Sequence, residues 1–552
     1  MKLGPLSWFP ARPWPLLALP LLCACIEGGS TDNTHLSDPI RELALSVEVD
    51  AESPLATVLP HAFGMHTSVY DNALDYPGLP RQLNEAGITM LRYPGGGYSD
   101  NYHWSTHHMT PWRSNGRDGS QTGYLAPNTD FGHYVSLLDA FGGTAMITVN
   151  YGTNARGTGP GEPKEAAAWV AYANGNPSDE TVIGLDSTGE DWRTVGFWAT
   201  LRASAPGSPE DDGETPELDF LRVSHPEPLG ITYWEIGNEV FGNGYYDGDN
   251  GYEQDLHLPY DGTNRVGHEA LSPTTYGRGV LEFIDAMKAV DPTIKVGAVL
   301  NTPPDDYNWG PNWNEDVLVE CGDQIDFAAV HWYTGTSIPT LLRAPQQTIH
   351  EMAAELRASF DLYAGDNAAN NAANIEITLT ELGPRVSVDT RSQVRGLFAA
   401  DSYATFMEHG FANIAWLELH AGGFLSERPP DVPGPAYKGI QLVHRMAAPG
   451  DTFVQANSSD PGVIVPHASR RADGSIGVML INIDQRIDAS VEVAIQGAAL
   501  TGSGTLYLYE PAEFGGEDDG AVTGPTELDG LGNDFTFELP PFSIATLLLD
   551  AE

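Results

Sequence analysis

Eight short apolar runs separated by helical segments, and then a helix-poor series of turn-separated strands, predict a (β/α)8 barrel followed by an antiparallel β-sandwich. The runs fall at 61–66, 88–93, 144–150, 231–239, 294–300, 327–333, 375–381 and 414–419. Eight β/α units of this size close a barrel. A doubly wound open sheet would want a Gly-rich phosphate turn after its first strand. The only candidate, Tyr93-Pro94-Gly95-Gly96-Gly97-Tyr98, follows the second and opens no clear helix. At 552 residues the chain is far longer than one core needs, so two folded domains are expected.

In chain order, residues 1–25 read as a leader: Lys2, then an apolar stretch too short to span a bilayer. It ends in Leu22-Cys23-Ala24-Cys25, which resembles a bacterial lipobox and implies lipid on Cys25 and a cell-surface protein. An ordinary secretory leader is the alternative. Residues 26–40, with Gly28-Gly29-Ser30, form a tether. The segment 41–55 holds an alternating strand at 43–49 that is expected to join the C-terminal domain, which makes the barrel (56–432) an insertion. The clearest helices are 274–290, 347–362 and 392–409; Val280, Phe283, Ile284 and Met287 share one face of the first, and Pro292 stops it. The third unit is long, with helical pieces at 163–174 and 192–203 and an acidic, Pro-rich bulge at 206–217. The loop 242–268 directly follows the fourth strand, where loops line a barrel's active face. Past Pro433-Gly434-Pro435, strands at 463–467, 476–483, 489–495, 504–508, 534–539 and 543–548, with no comparable helix, make 433–552 the sandwich.

Acids outnumber bases 75 to 27, a formal net charge of −48. That excludes nucleic acid and anionic polymers as partners, while neutral polysaccharide meets no such repulsion. Any membrane contact is expected through the lipid anchor alone. Beyond the leader only Cys321 remains, so neither an internal disulfide nor a Cys-based metal site is expected, and Cys321 reads as a small buried hydrophobe. Asp247-Gly248-Asp249-Asn250-Gly251 has a calcium-loop flavour but lacks the later oxygen ligands, and reads as a solvated acidic turn.

Two acids end apolar runs: Glu239 in Trp234-Glu235-Ile236-Gly237-Asn238-Glu239-Val240, and Glu381 in Thr378-Leu379-Thr380-Glu381-Leu382-Gly383. Buried carboxylates are costly, so acids at the ends of buried strands point to a task. Retaining glycosidases need two carboxyls about 5–5.5 Å apart, one donating a proton to the leaving oxygen and the other attacking the anomeric carbon. Strand ends across a barrel mouth can hold them so. The acid catalyst needs its pKa raised by burial and by the neighbouring carboxylate. No cofactor is needed for this chemistry, and no metal site is expected.

These segments resemble the catalytic strands of clan A glycoside hydrolases. With Leu91-Arg92-Tyr93-Pro94-Gly95-Gly96, the run 288–297 and Pro540-Pro541-Phe542-Ser543-Ile544-Ala545, residues 40–552 resemble family 51 α-L-arabinofuranosidases and their relatives. The resemblance implies Glu239 as acid/base and Glu381 as nucleophile, with Asn238 on the sugar hydroxyl beside the anomeric carbon. It also implies Tyr333 beside Glu381, Arg92 beneath both acids, and Trp416 as an apolar platform for a sugar ring; His331 joins the list as a substrate contact. Two positions depart from the pattern: the family has Asn where this chain has Gly97, and a first-strand Glu where it has Met65-His66-Thr67. Both normally grip the furanose.

Structural alternatives stand beside these roles. Arg92 could be a buried cation paired to any barrel acid, His331 a satisfied core histidine, and Trp416 ordinary packing; Glu376 and Glu418 read as rim residues. The expected function is a retaining glycoside hydrolase on plant-type polysaccharide or oligosaccharide. A surface carbohydrate-binding protein with a degenerate barrel is one alternative, and a transglycosylase using the same residues is another.

Overall fold

The computed structural model describes residues 40–113, 119–207, 215–246, 248, 251–303, 312–365, 372–428 and 430–552. The leader with Cys25, the tether up to residue 39, most of the 206–217 bulge and most of the acidic turn at 247–251 lie outside the described residues.

Eight parallel strands close a barrel in chain order: Phe63–His66, Met90–Tyr93, Thr144–Val149, Tyr233–Ile236, Lys295–Val299, Phe327–Thr334, Glu376–Pro384 and Asn413–Trp416. They are called barrel strands 1 to 8 below. Each coincides with one of the eight apolar runs, because a strand buried on both faces needs apolar residues throughout. Strand 8 pairs with strand 1, Ile414 opposite Phe63, and completes the ring.

The period of two along each strand stacks the interior in layers. Met90, Met146, Tyr233, Phe327 and Ala329 form an apolar plug. Two residues further along strands 2, 3 and 4 come Arg92, Thr148 and Glu235, all buried. The next inward position on strand 6 after Ala329 is His331. Polarity thus rises toward the C-terminal end of the barrel.

Helices Pro163–Asn174, Val195–Ala203, Pro273–Lys288 and Gln393–Glu408 lie close to their expected places. Ile338–Tyr363 begins nine residues earlier than expected, on a Ser337/Thr340 capping box, and runs through Pro345. The missing N–H of Pro345 costs one ladder bond, which a 26-residue helix with a buried face tolerates.

One expectation for the C-terminal region needs correction. Helix Pro435–Met446 lies past Pro433, where no helix was expected. Pro433-Gly434-Pro435 reads in sequence as the point where the pattern turns to strands, whereas Pro435 opens this helix, a position where a missing N–H costs nothing. This helix follows strand 8 and packs against Gln393–Glu408 so closely that a Cβ on Gly439 would fall 2.2 Å from the Gly396 carbonyl oxygen. It completes the barrel's outer ring. The expected C-terminal β-domain is there: one nine-stranded sheet curls on itself and encloses a core between its two halves. It includes two strands not foreseen, Thr452–Ser458 and Val522–Asp529. Arg41–Thr57 lies between Thr452–Ser458, antiparallel, and Ile487–Gln496, parallel, so the sheet is mostly antiparallel with one parallel pair. Val47, Val49, Val478, Leu480, Val491, Val493 and Leu547 fill the curl.

Sheet and barrel meet at a buried ion cluster. His467 Nδ1 lies 2.8 Å from Glu408 Oε1, and Nε2 lies 3.2 Å from Asp401 Oδ1. Burial disfavours a charged imidazole, but the charge on Glu408 and the hydrogen bond to Asp401 outweigh it and lift His467 from 6.5 to about 10. A group whose folded pKa is raised stabilises fully below its unfolded value and loses that contribution as pH climbs through the folded value. The melting midpoint is therefore expected to fall between pH 7 and 10, and His467→Asn should flatten that slope. A wild-type midpoint constant across that range would contradict the pairing.

Candidate active site

The C-terminal ends of strands 2, 4, 6 and 7 converge on Arg92, Asn238, Glu239, His331, Tyr333 and Glu381. Strand 4 ends at Ile236, and Gly237 turns the chain with φ 73°. Glu239 sits in the left-handed region at φ 38°, ψ 38°, where a side chain other than glycine is strained. Such strain, of order 1–3 kcal/mol, collects at working sites. Asp100 fixes this turn: its carboxylate accepts from the backbone N–H groups of Tyr151, Gly152 and Asn238 at 2.9–3.0 Å. Burial nonetheless pushes Asp100 up to about 7.

Strand 7 carries a bulge. Leu379 pairs with Val330 and Glu381 with His331, leaving Thr380 as an extra residue. Two successive side chains thereby reach the interior. Thr380 donates to Glu235 Oε1 at 2.9 Å, and Glu381 accepts from Arg92 Nη1 at 2.9 Å and from the Tyr333 hydroxyl.

Arg92 is fully buried and distributes its donors over the floor of the site. Nε goes to Glu235 Oε2 at 2.8 Å, and Nη2 to Asn238 Oδ1 at 2.9 Å. Nη1 also meets His66 Nδ1 at 3.1 Å, so that nitrogen accepts and the imidazole carries its proton on Nε2. Burial keeps His66 neutral, down at about 3. Arg92 thus supports Glu381 and Asn238, whereas Glu239 is held by His331. The expectation that Arg92 lies beneath both acids is corrected accordingly.

His331 bridges the two carboxyls. Nδ1 is 2.7 Å from Glu239 Oε1 and 3.5 Å from Glu381 Oε2, and Nε2 is 3.0 Å from the Thr380 hydroxyl. Thr380 gives its own proton to Glu235, so His331 Nε2 is the donor to Thr380. Burial would lower the imidazole's pKa, but the charge on Glu381 and the bond to Glu239 raise it above the ordinary value. For Glu381, burial alone would raise the pKa; His331 and then Arg92 outweigh it and hold the carboxyl at about 2. Glu381 is a carboxylate at any working pH.

Glu239, His331 and Glu381 offer ligand atoms that all lie within 4.8 Å of one another. A cation could be held by such a set only by displacing the His331–Glu239 hydrogen bond, and Arg92 already supplies positive charge to Glu381. The same spacing brings a carboxyl oxygen of Glu239 within 4.8 Å of one of Glu381.

Trp416 is not brought into the site. Its indole is fully buried, stacks at an angle against Phe398 and donates Nε1–H to the Gly422 carbonyl, so no face is left for a sugar. Glu376 lies at the opposite end of the barrel, bonded to Tyr233 and Lys295. Glu418 accepts from Tyr70 at 2.7 Å, and burial, with the charge on Glu381, raises its pKa. Sequence reading missed Glu235, Asp100 and Glu253, and noted His66 only within the Met65-His66-Thr67 departure from the family pattern. Glu235 alone carried a signal: an acid inside an apolar strand, on the same face as the inward Tyr233.

No protein-family model matches this chain. It is 25% identical over 257 residues, 46% of its length, to an intracellular exo-α-(1→5)-L-arabinofuranosidase of Streptomyces lividans. It is 23% identical over 310 residues, 53% of its length, to a protein of the same name from Bifidobacterium longum. The chain spans only 28% and 43% of those relatives' own lengths. Among solved structures, the family 51 α-L-arabinofuranosidase of Thermotoga petrophila aligns with a TM-score of 0.65 at 19% identity, over 92% of this chain and all of that one. A family 44 endoglucanase of Clostridium thermocellum aligns with a TM-score of 0.57 at 15% identity, over 92% and 100%. In sequence over about half its length, and in fold over nine-tenths, this chain is similar to the α-L-arabinofuranosidases of family 51 within clan A.

Proposed function

We propose that this protein is a retaining O-glycoside hydrolase acting on plant-type polysaccharide or oligosaccharide, with Glu239 as acid/base and Glu381 as nucleophile. The observation that carries the reading is the carboxyl pair: oxygens within 4.8 Å, on strand ends that face each other across the barrel mouth. Oxygens that close fit direct attack by one carboxylate, for which a carboxyl separation of about 5–5.5 Å is typical, better than the roughly 6.5–9.5 Å of an inverting site.

In the first step Glu381 forms a bond to the anomeric carbon as the glycosidic C–O bond breaks, and Glu239 gives a proton to the departing oxygen. In the second, Glu239 takes a proton from water, whose oxygen displaces Glu381. Arg92 and Tyr333 keep Glu381 charged and aimed, and the second N–H of Asn238 is available to the hydroxyl beside the anomeric carbon. His331, whose pKa the two glutamates raise, hydrogen-bonds Glu239 and can return a proton to it.

An arabinofuranoside is the first substrate to try, because the relatives compared above bear arabinofuranosidase names. The chain departs from that family's pattern at Gly97 and at Met65-His66-Thr67, so xylosides, glucosides and galactosides belong in the same screen. Product NMR during the first minutes of turnover is expected to reveal the starting anomeric configuration. Inverted product would exclude the assignment. A protein that binds oligosaccharide but turns over no glycoside would be the degenerate-barrel binder instead.

A further inference from the structure

Glu253 is the least expected group in this site. It is 4% exposed, on the loop that follows strand 4, and its Oε1 accepts from Asn238 Nδ2 at 3.0 Å. Its Oε2 has no hydrogen-bond partner among the described residues. The carboxyl lies flat against residue 97: a Cβ there would fall 2.9 Å from Oε1 and 3.0 Å from Oε2. Glycine at 97 is therefore what admits the acid.

The loop holding Glu253 is built, not loose. Glu253 N–H donates to the Gly242 carbonyl at 3.1 Å. Arg265 is buried and donates to the carbonyls of Asn243, Asp255 and Leu258 at 2.8–3.1 Å. Asp255 accepts from Asn243 Nδ2 at 3.1 Å.

We propose that Glu253 is a positioning residue, which locks the Asn238 amide so that its second N–H meets the sugar hydroxyl beside the anomeric carbon. This rests on the function proposed above. The amide is held from both sides: Arg92 can only donate, so it fixes Oδ1, and Glu253 takes one of the two N–H groups. A chain Glu381–Arg92–Asn238–Glu253 then ties recognition of that hydroxyl to the nucleophile. Burial, and then the charges of Asp100 and Glu239, push the Glu253 carboxyl well above the usual range, which disfavours a further negative charge in a site already rich in it.

The experiment compares kcat/KM for the best aryl glycoside of the screen and for its 2-deoxy analogue. Wild type should favour the parent sugar by about 10²-fold or more, as expected where a site is built to bind a hydroxyl. Glu253→Ala should lower the parent's value by roughly 10- to 100-fold and leave the 2-deoxy analogue nearly unchanged. Glu253→Gln, neutral and able to accept through its carbonyl oxygen, should recover most of the loss. Gly97→Ala should behave like Glu253→Ala, because the methyl displaces the carboxyl, and should cost little more when added to it. Equal losses on both substrates, or a Gln variant as poor as Ala, would overturn the inference while leaving the catalytic assignment intact. A wild type inert toward every glycoside would overturn both.

Discussion

Glu381→Ala is expected to lower turnover by about 10⁵-fold or more, even on aryl glycosides with excellent leaving groups. Without the carboxylate no glycosyl-enzyme can form, and Arg92 and Tyr333 are left pointing at an empty space. Azide can enter that space and attack the anomeric carbon from the same side, expelling the aryloxide. The product is then a glycosyl azide of inverted configuration. Glu239→Ala should fail differently. An activated leaving group hardly needs protonation, so the first step survives and the glycosyl-enzyme accumulates, a loss of about 10²–10⁴-fold on substrates that do need the proton. Azide needs no general base; it should release this intermediate with retained configuration. Product NMR with and without azide separates the two variants. Exchanged outcomes would mean that the two roles are swapped, and unchanged turnover in both would place the chemistry elsewhere in the barrel.

The barrel was legible because burial on both faces writes a strand as an apolar run, and all eight runs were found. Glu239 and Glu381 were legible for a related reason: an acid that ends such a run is hard to explain by packing. The bulge at Thr380 was invisible, since nothing local distinguishes an extra residue from a regular one, yet it is what places Thr380 and Glu381 together inside the barrel. Trp416 misled because its position near a strand end says nothing of rotamer; its N–H finds Gly422 and the ring turns into the wall. Glu253 and Asp100 lie in loops among many other acids, and only the folded loops single them out. The β-domain was legible from its alternating strands, but their pairing was not. Alternation identifies a half-buried strand but not its neighbours, so the parallel pairing of Arg41–Thr57 with Ile487–Gln496 could not be read locally.

Arg92→Met should cost both stability and activity, and a second substitution should pull the two apart. Arg92 is the guanidinium between two buried acids, 2.8 Å from Glu235 and 2.9 Å from Glu381. Breaking a buried pair by removing one partner typically costs about 3–5 kcal/mol, because the charge left behind is unpaired in a low dielectric. Urea unfolding should register a loss of that order. Adding Glu235→Leu removes the worst orphan and should return much of the stability, since apolar replacement of a whole buried pair is often neutral or better. Activity should not return with it. Glu381 still lacks one of the two charges that hold it at about 2, so its pKa should rise and an acid limb should enter the pH–rate profile where wild type has none from this group. The sign follows from the direction of the shift: a depressed carboxylate contributes stability above its ordinary 4.5 and loses it as pH falls toward 2, and the variant should lose it at higher pH. Arg92→Lys should fall between, because one ammonium cannot reach Glu235, Glu381 and Asn238 with the geometry of a planar fork. If the double variant regains both stability and wild-type turnover, Arg92 is only a structural cation, and Glu381 is activated by His331 and Tyr333 without it.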